Sequence, residues 1–208
     1  SKKNEPIATG TCLILITPDS ERTMCTFLGT AGKINEDDVD DEVVKNSEIT
    51  LLEGYLWDEG NPKKAFEKAI KNSNKVAMSL SDLFCVERHK QNFLELVKNK
   101  LDIVFANEQE ILSLTDSNSF DDVISFTKEL KKEIIITRGA KGAVSISKNK
   151  VVSCPAQDNL KLIDLTGAGD LFAAGYLHGY INNLSIEECL NKGTELSSKI
   201  IQKIGARI

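Results

Sequence analysis

Short apolar runs rich in β-branched residues recur along the chain, and longer stretches with apolar residues at three- and four-residue spacing fall between them. Segments 49–55, 75–80, 103–107 and 133–137 read as strands. Asn61-Pro62 opens a helix to about residue 72, because proline in the first turn gives up an N–H that has no intrahelical partner there. Ser81 or Asp82 caps a second helix to about residue 99. The apolar run 103–106 turns into a helix whose start carries Asn107, Glu108 and Glu110. Ser185, with Glu188 at capping-box spacing, starts a last helix that runs to about Lys203. Ahead of these, residues 9–23 read as two strands joined by the turn Pro18-Asp19-Ser20. Strand, helix and strand alternate throughout, which predicts an α/β domain.

Composition narrows the class. The chain has 208 residues, 41% hydrophobic and 27% charged, enough for one sizeable core, and one domain is expected. Its net charge of −5, with no basic run, argues against a nucleic-acid backbone as partner. No apolar stretch is long enough to span a bilayer, so no membrane partner is expected and a cytoplasmic enzyme is. Cys12, Cys25, Cys85, Cys154 and Cys189 are widely spaced and odd in number, which suits reduced, mostly buried thiols better than disulfides or a zinc site. The acidic run 36–42, with Val39, Val43 and Val44 behind it, reads as one face of a surface helix. His89 stands in a polar helical stretch with no Cys or His at metal spacing and reads as a surface histidine.

The candidate chemistry lies in residues 164–170, Asp-Leu-Thr-Gly-Ala-Gly-Asp, leading into a helix of small and apolar residues. Gly167, Ala168 and Gly169 bring bare backbone N–H groups to the start of a helix, where dipole and amides favour an anion. Asp170 beside them is placed to take the proton of an attacking hydroxyl as general base. A plain turn between strand and helix, with Asp as N-cap, uses the same residues. The spacing fits neither the Rossmann glycine pattern nor a P-loop. Asn107 and Glu110 alone read as a helix cap, and Gly139 and Gly142 alone as a turn.

Residues 164–170 match throughout the D-x-T-G-A-G-D signature, and with N-x-x-E at 107–110 and T-x-G-x-x-G at 137–142 in the same order the chain resembles the ribokinase-like, or PfkB, family of carbohydrate and nucleoside kinases. The resemblance implies a three-layer α/β/α fold with a mostly parallel central sheet. It covers about the C-terminal two-thirds of the family fold, with the N-terminal part and most of the lid absent from this chain. Residues 1–30 are then the end of the lid connection and a β-hairpin, and residues 31–208 the nucleotide-binding and catalytic core, one domain overall.

By the same resemblance the chain is an ATP-dependent kinase that transfers the γ-phosphate to a hydroxyl of a sugar or nucleoside. Asp170 is its base, and Gly167, Ala168 and Gly169 form the anion hole. Asn107 lies near the ATP phosphates, and Glu110 holds Mg2+ through water. Thr137, Gly139 and Gly142 cover the nucleotide, with Lys141 as an electrostatic helper, and Thr194 takes a position near the adenine. Asp164 and Thr166 help bind a monovalent cation, K+ in some relatives, near backbone carbonyls around Ile200, Lys203 and Gly205. Arg22 takes the position of a basic residue near the phosphoryl region. Residues 79–89 tilt the substrate toward a nucleoside, and the family allows a homodimer through the missing lid. A catalytically silent, nucleotide-binding relative of the same fold is the alternative.

Overall fold

The structure is a computed structural model that describes residues 6–57, 61–148 and 150–208. The expected lid connection over residues 1–5 lies outside the described residues. Strands β1 (Thr11–Ile16) and β2 (Arg22–Phe27) form a two-stranded sheet. Then follow α1 (Asp41–Lys45), β3 (Thr50–Glu53), α2 (Pro62–Asn72), β4 (Val76–Ser79), α3 (Leu83–Asn99), β5 (Ile103–Asn107), α4 (Glu108–Thr115) and α5 (Phe120–Glu129). The chain continues with β6 (Glu133–Thr137), β7 (Ala143–Ser147), β8 (Lys150–Cys154), α6 (Ala168–Ile181) and α7 (Ile186–Ile200). Strands β3 to β8 stand in the larger sheet in their sequence order. The described residues group into two compact units, one made of residues 6–11, 26–57, 61–134 and 146–148, the other of residues 12–25, 135–145 and 150–208.

In the first unit β3, β4 and β5 pair in parallel, with Thr50 opposite Val76 and Ala77 opposite Ile103. Val76, Ala77 and Met78 of β4 and Ile103 to Ala106 of β5 are buried without alternation, as strands covered on both faces must be. Helix α2 buries Pro62, Ala65, Phe66 and Ala69, a three- and four-residue stripe, and Trp57 packs edge-on to Phe66 at 5.1 Å and Phe93 at 6.1 Å.

Two local expectations are corrected here, and one alternative is decided. The acidic run is not one helix: Asn35 caps a 3-10 turn at Glu36–Asp38 and Asp40 caps α1 afresh, accepting the N–H groups of Glu42 and Val43. Two capping side chains within six residues break the run, and Val43 faces outward at 63% exposure. Asp82, not Ser81, caps α3, through the N–H of Cys85 at 2.7 Å. His89 is half-buried, its ring 5.9 Å from that of Phe93, where α3 kinks.

In the second unit α6 and α7 meet backbone to backbone. A Cβ on Gly175 would lie 2.6 Å from the carbonyl oxygen of Lys192, and one on Gly193 2.8 Å from that of Phe172. Tyr176, Cys189, Leu190 and Ile200 fill the space around them. Ser185 and Glu188 form the expected capping box of α7, but the helix stops at Ile200, before Lys203. Past that point the carbonyl of Ile201 accepts the N–H of Ile163 at 2.8 Å and of Asp164 at 3.3 Å. None of the five cysteines is in a disulfide; three are buried and two, Cys12 and Cys25, are exposed on the hairpin. Among the described residues no helix is long and apolar enough to cross a membrane.

The α6–α7 contact is directly testable. Alanine is favoured over glycine in a helix by about 1 kcal/mol, whereas forcing a methyl group into a backbone contact costs about 1–3 kcal/mol. Gly175→Ala therefore lowers the free energy of unfolding by up to about 2 kcal/mol in a denaturant titration, and a stability raised by the ~1 kcal/mol of alanine's helix preference would show that the two helices do not touch there.

Candidate active site

At the carboxyl ends of β3, β4 and β5 the first unit gathers Glu53, Asp82, Asn107 and Glu110. Asn107 caps α4 by accepting the N–H of Glu110 at 2.8 Å. The Glu110 carboxylate returns two bonds, accepting the backbone N–H of Asn107 at 2.9 Å and its side-chain N–H at 2.6 Å. This is the capping box that the sequence allows, with Asn107 exposed and Glu110 buried at 5% exposure. Burial pushes its pKa up to about 7 and the carboxylates of Asp82 and Glu53 push the same way, against the donors on Asn107. The Tyr55 phenol is held well above its usual range, first by burial and then by Asp82.

Each oxygen of Glu110 accepts one N–H donor and keeps a second lone pair, so the carboxylate can meet a hard cation or the waters around it. Hard carboxylate oxygens fit Mg2+, which keeps several waters. Among the described residues no group of three or more His, Cys, Asp or Glu is arranged to hold a metal ion.

The second unit carries the 164–170 loop. Asp164, 1% exposed, accepts three donors: the N–H of Thr166 at 2.9 Å, its hydroxyl at 2.6 Å, and the N–H of Gly205 at 2.8 Å. Burial raises its pKa, but the Thr166 hydroxyl, the two N–H groups and the charge of Arg22 together hold it below the usual carboxylate value. Gly167 is the N-cap of α6, left-handed at φ 78°, and a Cβ there would meet that of Ala206 at 3.0 Å. The cap is thus a glycine and not Asp170, which lies exposed in the first turn. The N–H of Ala168 donates to the carbonyl of Leu165 at 3.2 Å. Gly169 is exposed, and apart from its chain neighbours and the backbone of its own helix no described atom lies within 4 Å of where its Cβ would be.

Thr137 ends β6, and the N–H of Arg138 then donates to the carbonyl of Gly142 at 2.8 Å, closing the loop over Gly139 and Lys141. Gly142 has no alternative, since a Cβ would fall 2.0 Å from the carbonyl oxygen of Cys154; Gly139 has open space and φ 56°. Behind this loop Pro155, Ala156 and Gln157 line an open groove of about 550 Å³ whose other wall includes Asn191 and Thr194 of α7. Thr194 is fixed by a 3.2 Å contact between its hydroxyl and the Cys154 thiol. The groove residues 155–157 and Asn191 escape sequence reading; only the three-residue step from Asn191 to Thr194 on one helix hints at them. Of the expected cation-side carbonyls, that of Ile200 accepts the N–H of Lys203 at 3.0 Å, and Gly205 contributes its N–H to Asp164.

The two shifted carboxylates predict opposite pH behaviour. Asp164, depressed in the folded state from 3.8, stabilises the fold at neutral pH and loses that contribution as pH falls through its folded value. Glu110, raised from 4.5 to about 7, gives a contribution that is whole below 4.5 and lost as pH rises toward and past 7. In urea unfolding at pH 8, Asp164→Asn is therefore destabilised by about 2–4 kcal/mol, while the stability of Glu110→Gln relative to the unaltered protein, which carries the loss of one acceptor for Asn107 at every pH, rises by about 1–3 kcal/mol between pH 4 and pH 8. No such rise between pH 4 and pH 8 would contradict the raised value.

Residues 2–208 match the pattern of the pfkB family carbohydrate kinase. The chain is 27% identical over 200 residues to an uncharacterized sugar kinase of Archaeoglobus fulgidus, covering 95% of this chain and 78% of that one. It superposes on the crystal structure of adenosine kinase from Sinorhizobium meliloti with TM-score 0.93 and 38% identity, covering 96% of this chain and 63% of that one. A probable sugar kinase from Rhizobium etli gives TM-score 0.94 and 36% identity over 99% of this chain and 64% of its own. The chain thus spans just under two-thirds of the length of these two solved relatives. With the D-x-T-G-A-G-D loop seated at the start of α6 and the family pattern running through the whole chain, the protein belongs to the PfkB family of carbohydrate kinases, of ribokinase-like α/β fold.

Proposed function

We propose that the protein is an ATP-dependent kinase that transfers the γ-phosphate to a hydroxyl of a sugar or nucleoside, with an adenosine-kinase-like nucleoside as the favoured acceptor. The observation that carries the reading is the start of α6: an exposed helix N-terminus whose Gly169 leaves its backbone uncovered, with the exposed carboxylate of Asp170 in the same turn. Names of relatives support the substrate class, since the S. meliloti structure is of an adenosine kinase.

In this reading the first-turn amides and the helix dipole hold the charge that develops on the transferred phosphoryl group. Because the Ala168 N–H is engaged by Leu165, Gly169 and Asp170 supply the donors that face a ligand. Asp170 takes the proton of the substrate hydroxyl as that oxygen attacks phosphorus. The groove beside Thr194, with the loop Thr137 to Gly142 behind it, takes the nucleotide base. Asn107 and Glu110 hold waters on the magnesium, which when bound neutralises charge on the phosphate oxygens. Asp164 and Thr166 fix the loop, and a monovalent cation such as K+ beside them adds positive charge near it. Assembly as a homodimer through lid strands belongs to the same reading, and the hairpin offers exposed Leu13, Leu15 and Met24 for it.

The experiment that tests the reading is ADP release by the full-length protein over a panel of adenosine, inosine, cytidine, ribose and fructose with ATP and magnesium. No turnover with any of them would count against it. Asp170→Asn is expected to lower kcat by ~10²-fold or more with nucleotide affinity nearly unchanged, and retained turnover would remove Asp170 as base. Gly169→Val is expected to lose turnover while remaining folded, because the fold leaves room for the side chain and the ligand does not. Full activity in that variant would leave the loop a turn and nothing more.

A further inference from the structure

The groove between the segment after β8 and α7 lies wholly in the second unit, and most of its polar side chains are already engaged. Glu188 accepts the N–H and the hydroxyl of Ser185 at 2.8 and 2.7 Å, Glu195 pairs with Lys199, and the Thr194 hydroxyl meets the Cys154 thiol at 3.2 Å. Gln157 and Asn191 are different. Both are exposed in the groove, on its two walls, and neither has a hydrogen-bond partner among the described residues.

The walls are tied to each other and to the nucleotide loop. A Cβ on Gly142 would fall 2.0 Å from the carbonyl oxygen of Cys154 and 2.8 Å from the nitrogen of Ala156, so the Thr137–Gly142 loop packs on the segment that carries Gln157. The Cys154 thiol joins that segment to Thr194, one helical step from Asn191 on α7.

Charge narrows what the groove takes. Lys192 is felt by both Glu188 and Glu195, so two carboxylates face one ammonium and a phosphate is repelled. Pro155, Ala156 and Leu184 add apolar surface. A volume of about 550 Å³ suits a small planar heterocycle laid between that surface and the two amides. A side-chain amide offers a carbonyl acceptor and an NH2 donor, and with no partner to fix it a half-turn exchanges the two. One orientation pairs with the amino group and ring nitrogen of adenine. The other pairs with the carbonyl and ring N–H of an oxopurine such as hypoxanthine.

We propose that Asn191 and Gln157 read the base of the phosphoryl donor, and that their uncommitted amides admit aminopurine and oxopurine nucleotides alike. The proposal rests on the kinase reading above and concerns the donor, not the acceptor.

Calorimetric binding of ADP and of inosine diphosphate to the full-length protein tests it, because the two ligands carry the same phosphates and differ only in the base. The unaltered protein is expected to bind them within about tenfold of each other, since either pairing makes the same hydrogen bonds. Asn191→Leu is expected to weaken both about 10-fold while keeping its melting temperature, for Asn191 has no partner to lose. Asn191→Lys, which can only donate, is expected to shift the ratio about 10-fold toward inosine diphosphate, whose oxygen and ring nitrogen both accept. A preference for ADP above about tenfold in the unaltered protein would overturn the proposal. So would full affinity in Asn191→Leu or an unchanged ratio in Asn191→Lys. Binding of neither nucleotide to the unaltered protein would instead refute the kinase reading.

Discussion

The buried carboxylate of Asp164 is the contact around which the 164–170 loop is built. Two oxygens accept two N–H groups and a hydroxyl, one donor coming from forty-one residues further along the chain at Gly205. An ionised carboxylate out of water is tolerated only when donors replace its hydration, and here three do so. The consequence is geometric. Gly205 held at Asp164 brings Ala206 against Gly167, which leaves that position room for glycine alone and fixes the left-handed step that begins α6. The direction of the helix start, and with it the exposure of Gly169 and Asp170, follows from one acceptor.

Much of this order was legible in the sequence because it is local. Strands β4 and β5 are continuous apolar runs, and the capping residues Asp82, Asn107 and Ser185 stand where hydroxyl, amide or carboxylate side chains precede apolar helical spacing. The loop of residues 164–170 announced itself by composition. Local signals that were present but unread include Ser119 and Asp122, which form a capping box for α5. The groove could not be read, for Pro155 to Gln157 and Asn191 come from segments more than thirty residues apart with no shared spacing. Nor could the end of α7: it is set by Ile201, whose carbonyl accepts amides from Ile163 and Asp164 instead of continuing the helix. The left-handed backbone of Ser81, at φ 74°, leaves no trace in residue type, because serine is ordinary ahead of a helix.

Stability and function pull apart at the ends of β3 to β5. Glu110 is buried near other carboxylates, and its pKa near 7 means that the ionised form is held against both burial and like charge. A helix cap alone asks for none of this, since Ser119 and Asp122 form the same box on α5 in the open. Burying Glu110 of the box at Asn107 is therefore a cost that capping does not explain.

The glycines separate the two demands most cleanly. Gly142 and Gly175 are required by the fold, for a Cβ would strike the backbone of Cys154 or Lys192. Gly167, Gly139 and Gly205 take positive φ, which alone favours glycine. Gly169 has neither reason: its φ is not positive, and the described structure leaves its Cβ position empty. It also sits in the first turn of a helix, where alanine would be favoured by several tenths of a kcal/mol to about 1 kcal/mol. Folding would thus replace this residue. The remaining reason for a bare backbone at an exposed helix N-terminus is the approach of something outside the chain to within hydrogen-bonding distance of the N–H, and the charge of that site selects an anion.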